Sequence, residues 1–403
     1  MRLSTQAYYS SSIAAMLDQQ AALSKIQNQV ASGKRVNTPA DDPIAAVHIL
    51  ELERSKVESE QYDKNSALAR SRLSLEEQSL ADAGTLLTRV RELVLQASNI
   101  GTLTDNDRES IATELASRLE QMQDIANRKD GTGEYLFAGF STLTQPFAGA
   151  ASGSVSYSGD QGARLVQVGA TQRVADSHSG FDVFMNIPSG NGTFDTAASA
   201  ANTGNGSIDV GSVVNSSAWL PDDYTLTFTS ASHWEITDTA TPTPNVVASG
   251  TYAAGAPIAF RGVQVVVSGE PAVGDTFSVN RSRSEDIFTS LNDIVTALRQ
   301  PANTPAANAK LATALNGSLQ QIDQASDHLL GIRGQVGARL SSLDTADAVR
   351  EDLQLDLASS LSDLRDLDYA EALARMNQQL VGLQAAQMSY SKISQLSLFN
   401  YLR

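Results

Sequence analysis

Apolar positions recur at both ends of the chain in alternating steps of three and four. Toward the C-terminus they fall at Leu373, Met376, Leu380, Leu383, Gln387 and Tyr390, which predicts one seam along one side of a helix. The phase then slips to Ile393, Leu396 and Phe399. Near the start the same rhythm passes through Ile13, Met16, Gln20, Leu23, Gln27 and Val30, with Leu17 and Ile26 widening the stripe. Each helix is about 25 to 30 residues, roughly 40 Å long. Charge is nearly absent from both: none lies between Arg375 and Lys392, and the N-terminal stretch carries only Arg2, Asp18 and Lys25. A helix whose polar face is Gln, Ser, Asn and Ala is suited to packing on more than one side. The expected contact sets Ile13, Met16, Leu23, Ile26 and Val30 against Leu380, Leu383, Tyr390 and their neighbours, with Gln20, Gln27 and Gln387 fixing the register. Packing against other subunits is equally open to these seams, and their position favours it, because chain ends are usually the least ordered part of a fold.

Between the ends, the prolines draw the map. All eleven sit at Pro39 and Pro43 or between Pro146 and Pro305. Because proline disrupts a helix interior, residues 44–145 and 306–403 are free to form long helices. Gly33 is placed to end the first helix, and Asp41 and Asp42 followed by Pro43 are cap candidates for the second. The second helix runs from Ile44 to near Gln96, with Leu73, Leu80, Leu87 and Val94 on its core face. Thr104 and Asp107 form a capping box for a third helix that buries Ile111, Leu115, Leu119, Met122 and Ile125. Alternating runs such as YTLTFTS (224–230), HWEITD (233–238) and DTFSVN (275–280) predict antiparallel strands, and the Ser, Gly, Asn and Ala of 189–217 suggest mobile loop in parts of that stretch. Helix resumes near Glu285, breaks at Pro301 to Pro305 and continues through Leu364. Gly331, Gly334 and Gly337 predict a bend or a close helix contact there, and Asp368 with Glu371 predicts a capping box for the last helix. The expected fold is α+β: an antiparallel bundle or coiled coil of N- and C-terminal arms with an inserted antiparallel β-rich domain. Its expected parts are terminal helices (1–40 and 361–403), a helical core (41–140 and 285–360) and an outer β domain (141–284).

At 403 residues the chain is long enough for two or three domains. A net charge of -16 argues against nucleic-acid binding, which needs clustered Lys and Arg. Without cysteine there are no disulfides and no thiolate metal sites. No apolar run of membrane-spanning length occurs, and MRLSTQAYYSSS lacks the apolar core of a cleaved signal, so any export is expected to use another route. The histidines (His48, His178, His233 and His328) are too scattered for a zinc motif. Asp176, Ser177 and His178 are consecutive, and a catalytic triad needs spatial convergence, not adjacency. No catalytic, cofactor-binding or metal-binding residues are expected, and no enzyme activity.

The terminal seams, the turn SGKRVNTPADDPIAA (32–46), the acidic step DLRDLDYAEAL (363–373) and the ending LQAAQMSYSKISQLSLFNYL (383–402) resemble the bacterial flagellin family. ADDP, GEYLFAGF (133–140 within GTGEYLFAGF) and GVQVVVSGEPAVGDTFSV in the insert resemble the branch that joins hook to filament more than flagellin itself. The resemblance implies a secreted, extracellular structural subunit, exported unfolded by the flagellar type III apparatus. It further implies a ring of copies between the hook-side junction protein and flagellin, end helices that are disordered in the free monomer, and an export chaperone on the C-terminal helix. The implied assembly interface is Ile13, Met16, Leu17, Leu23, Ile26, Val30, Leu373, Met376, Leu380, Leu383, Tyr390, Leu396 and Phe399. A filament subunit, or an adhesin on a helical stalk with an aromatic pocket at Trp219 and Trp234, are the competing expectations.

Overall fold

The computed structural model describes residues 5–150, 154–238 and 245–399. The described helices are α1 (Thr5–Ser32), α2 (Pro43–Ala97), α3 (Asp105–Ala126), α4 (Ile287–Arg299), α5 (Pro305–Arg365) and α6 (Tyr369–Phe399), and the strands all lie between α3 and α4. The class is α+β. By internal contacts the chain forms two compact units, one of residues up to Lys64 with those from Thr345, the other Asn65–Asp344.

In the larger unit, α2 is inaccessible to solvent at Leu73, Leu80, Leu87 and Val94 and at the intervening Ala83, Val90 and Ala97. This is the sevenfold stripe its sequence predicts. The capping box of α3 is complete: Asp107 N–H donates to Thr104 Oγ1 (3.2 Å) and Thr104 N–H to Asp107 Oδ2 (2.9 Å), and Asp286 caps α4 through Thr289 N–H (2.7 Å). Leaving α3, the GEYLFAGF stretch buries Leu136, Phe137 and Ala138 completely. Gly139 has φ +68°, and a Cβ there would collide with Asp160, whose carboxylate accepts the N–H groups of Phe140, Ser141 and Gly162. Phe137, Phe147, Phe184 and Phe288 then pack edge-on or tilted at 5.1 to 5.6 Å. Phe288 belongs to α4, so the first part of the insert shares its core with helices.

The rest of the insert is a sandwich. One sheet orders the strands Asn245–Thr251, His233–Asp238, Tyr224–Ser230, Thr276–Arg281 and Phe194–Ala198, all antiparallel. The other sets Pro257–Phe260 beside Val263–Ser268, which also pairs with Ser207–Ile208 and Ser212–Val213. Alternate residues point inward, so Tyr224, Leu226, Phe228, Val263, Val265, Val267, Phe277 and Val279 share one core. The two-residue turn Arg261–Gly262 has both φ angles positive (44° and 82°), matching the twist of a tight hairpin.

Residues 189–217 alternate turns with short strands: they supply the strands from Phe194, Ser207 and Ser212 and the core residues Phe194 and Ile208. Their Asn residues bond to backbone, as where Asn191 Oδ1 accepts from Phe194 N–H (3.0 Å) and Asn202 Oδ1 from Thr276 N–H (2.8 Å), so the composition reflects turn chemistry. On α5, a Cβ at Gly331, Gly334 or Gly337 would meet nothing within 4 Å. These glycines lie on the exposed side while Ile332 and Val336 hold the buried one. The helix continues through them and they make no close contact.

Candidate assembly surfaces

Helices α1 and α6 pair antiparallel. Tyr9 meets Tyr390 edge-on with ring centroids 5.9 Å apart, the Gln19 amide lies over Gly382, where a Cβ would overlap it, and Gly33 faces the Tyr369 hydroxyl. The less exposed positions on α1 include Tyr9, Ser12, Met16, Gln19, Leu23, Ile26 and Val30, with Ala22 and Gln29 beside them, and on α6 Ala372, Met376, Gln379, Leu383, Ala386 and Tyr390, with Leu380 and Gly382 beside them. The first-named set on each helix steps by alternating threes and fours. Met16, Leu23, Ile26, Val30, Met376, Leu380, Leu383 and Tyr390 are among these less exposed positions.

Ile13, Leu17 and Leu373 are not: they are 43%, 60% and 43% exposed. Gln20, Gln27 and Gln387 also face outward, and Gln19 and Gln379 take the polar seam positions. The less exposed line and the apolar line differ by one residue at alternate positions. At 3.6 residues per turn Ser12 lines up with Met16 and Gln19, whereas Ile13 is turned about 100° away. The unbroken 9, 12, 16, 19, 23, 26, 30 spacing and a glycine at 382 were the available signals. Side chains beyond Lys392 lie outside the described residues, Leu396 and Phe399 among them.

At the other end of this pair, two chain reversals are joined. Gly33 (φ +70°) ends α1, its N–H donating to Gln29 O (2.9 Å). Arg35 N–H then donates to Arg365 O (2.7 Å) and Leu367 N–H to Gly33 O (3.0 Å), either side of a Lys34–Asp366 bridge. The Arg35 guanidinium reaches Leu364 O (2.7 Å). Asp42 is the N-cap of α2, accepting from Ala45 N–H (3.0 Å), with Pro43 at the first helical position. Asp41 has a different part: it accepts from Thr38 N–H (2.9 Å) and Asn37 N–H (3.2 Å) and pairs with Lys25 (3.0 Å). The Lys25 ammonium, then these amides, pull its pKa down to about 2. Asp368 caps α6 through Ala370 and Glu371 N–H, but the reciprocal half of the expected box is missing because Glu371 turns to Arg375 one turn on. Val36, Ala45, Ile49 and Leu361 close a small core beneath this junction.

Asp176, Ser177 and His178, adjacent in sequence, take separate polar partners. Ser177 Oγ leans toward Asp176 (3.5 Å), while His178 Nδ1 lies 2.7 Å from Glu76 and its Nε2 3.2 Å from Gln335. All three of Asp176, Ser177 and His178 are buried. Asp176 pairs with Arg164 (2.6 Å), whose pKa that carboxylate raises. Trp234 is in the sandwich core and Trp219 packs against it between Phe194 and Tyr224 (5.6 and 5.7 Å). Among the described residues no group of His, Asp and Glu is arranged to hold a metal ion and no helix is long and apolar enough to cross a membrane.

Comparison with known proteins places these features in a family. Residues 3–142 match the bacterial flagellin N-terminal helical region and 319–402 the C-terminal helical region. Within the sandwich, 197–281 match the D2-like domain of flagellar hook-associated protein 1. Over 404 aligned residues the chain is 25% identical to flagellar hook-associated protein 3 of Salmonella typhimurium, covering 100% of both. The crystal structure of Xanthomonas campestris FlgL is similar with a TM-score of 0.72 and 37% identity, covering 77% of this chain and 99% of that one. Flagellar hook-associated protein-3 from Legionella pneumophila gives a TM-score of 0.74 and 36% identity, covering 78% and 98%. The chain belongs to the bacterial flagellin family, among its hook-associated protein 3 members.

Proposed function

We propose that this chain is an extracellular structural subunit of the bacterial flagellum, forming the junction between hook and filament. The observation that carries this reading is the end-to-end correspondence with hook-associated protein 3, which includes both terminal helices and the insert. A flagellin reading would leave the likeness of residues 197–281 to a hook-associated protein unexplained. Copies of the chain form a ring, with the hook-side junction protein on one side and flagellin on the other. The residues from 1 to 40 and from 361 to 403 fold fully only in that ring, where outward Ile13, Leu17 and Leu373 meet neighbouring subunits. Residues 41–140 with 285–360 form the next layer and 141–284 face solvent. Before export, α6 is the segment a chaperone holds. The chain performs no catalysis.

The test is limited proteolysis of the purified chain, alone and with the hook-side junction protein and flagellin. Loss of about 40 residues from each end of the lone chain, and their protection on assembly, is the expected result. In cells, Leu23→Asp and Leu380→Asp should abolish motile filaments while leaving the secreted protein folded in its insert. Normal filaments from either variant would remove the terminal seam from the assembly.

A further inference from the structure

We propose that a cleft of the larger unit, between the edge strand Phe194–Ala198 and helices α4 and α5, is a docking site for a lysine or arginine side chain of a partner polypeptide. The cleft has a volume of about 260 Å³, and Asp195, Glu285, Asp293, Lys310 and Gln321 are among its walls. None of the three carboxylates has an ion pair among the described residues. Glu285 accepts only from Ser290 Oγ (3.2 Å), and Lys310 Nζ is turned to Ala200 O (2.6 Å). Nearby Arg283 is held by Asp223 (2.7 Å). Three acids thus share a cleft with one cation that is engaged elsewhere.

Two buried atoms point to what is missing. Asp195 Oδ1 is an acceptor without a donor, and Gln321 Nε2 a donor without an acceptor. Gln321 is 7% exposed, with its Oε1 fixed by Gly190 N–H (2.9 Å), so the amide orientation is set and its N–H groups are left over. A buried polar group without a partner is costly. A cationic side chain would supply donors to the carboxylates, while the carbonyl of its own peptide would accept from Gln321. Among the described residues these carboxylates form no group that could hold a metal ion, and the several donors of a guanidinium or ammonium suit them better. Next to the cleft, and sharing Lys310 and Ala314, runs a groove lined by Ala297, Ala302, Ala306 and Leu311. It gives room for small apolar residues beside the basic one.

Burial holds the carboxyls of Asp195, Glu285 and Asp293 above the usual carboxylate range. At Asp195 the Arg283 charge opposes this and Asp223 adds to it, Asp293, Asp286 and Asp195 add to it at Glu285, and Asp286 adds to it at Asp293. An arriving cation would lower all three and release protons.

The experiment is a titration of the full chain, followed by amide NMR and calorimetry, with N-acetyl-arginine amide, N-acetyl-lysine amide, spermidine and N-acetyl-glutamine amide. Saturable shifts confined to residues 190–198 and 310–321, with proton release at mildly acidic pH, are expected for the two basic amides and not for the neutral one. Asp195→Asn with Glu285→Gln should weaken them about tenfold or more, the loss of charge-assisted hydrogen bonds, and Gln321→Leu should weaken the amides but not spermidine. Equal shifts with the neutral amide would mean that charge plays no part in recognition, no shifts at all that water alone fills the cleft, and either would overturn the proposal. Spermidine binding as tightly as the basic amides would overturn the polypeptide source. Thermal unfolding of each variant guards against misfolding, and the wild-type proton release stands as a test that needs no variant.

Discussion

The sandwich and the terminal helix pair are both written in regular apolar periods, yet they close very different amounts of surface. In the sandwich, Phe194, Leu226, Phe228, Val263, Val265, Phe277 and Val279 are wholly inaccessible. Among the described side chains of the α1–α6 pair, only Leu23 (8%) and Ala372 (6%) fall below a tenth exposed, while Leu17, Val381 and Met388 remain at 60 to 65%. Two sheets enclose a space between them. Two helices can cover only one stripe of each other, and the rest of an apolar helix stays wet unless another molecule covers it. Periodicity thus reports that a face will be buried, and the number of layers in the chain decides whether the chain itself can bury it.

The comparison breaks first in the core. Phe277→Ala should cost about 3 to 5 kcal/mol in urea unfolding of the insert, whereas Met16→Ala should leave the lone chain's main transition nearly unchanged. Equal losses would mean that the helix pair is as self-sufficient as the sandwich. A smaller effect is expected at the Arg261–Gly262 turn. Gly262→Ala places a side chain at φ +82° and against Asn215 O, and should cost about 1 to 3 kcal/mol.

Acid separates the two regions by sign. Asp41 has a lowered pKa, so its contribution is present above the ordinary carboxylate range and lost as pH falls toward about 2. Asp195, Glu285 and Asp293 are raised, so their contribution is complete below the ordinary range and lost as pH rises through the raised values. Hydrogen exchange should show the Thr38 amide losing protection on acidification below about pH 4, while Phe194 gains protection as pH falls through the raised carboxyl values. Lys25→Ala should move the Thr38 transition upward. The smallest effect is Glu285→Gln, expected to stabilise the insert at neutral pH by less than about 1 kcal/mol. Destabilisation there would show that the charged carboxylate is already satisfied.

Sequence reading went furthest where one period ran long. The sevenfold stripe of α2, the Thr104–Asp107 box and the strands at 224, 233 and 275 needed only local rules. It went wrong where two phases competed: Ile13 is the more apolar residue, but Ser12 and Gln19 lie on the line that faces α6. Close contacts were harder still, since Gly382 admits Gln19 and nothing in α6 alone names its partner. In 189–217, Asn and Gly looked like loop because their bonds go to backbone distant in sequence, as Asn202 does with Thr276. The cleft at Asp195 could not be foreseen, as its walls come from residues over a hundred positions apart.

The stitching of the two chain reversals has a mechanical consequence. Arg35 and Leu367 cross-link the segments that lead out of α1 and into α6 by two backbone hydrogen bonds, with Arg35 adding a third to Leu364. Tension applied to α1 alone cannot straighten residues 33–42 without rupturing bonds to the other strand of the chain. Each is individually weak, about 0.5 to 1.5 kcal/mol net, but they are loaded together. The two ends of this polypeptide thus behave as one tether, and a pull on either is borne by both.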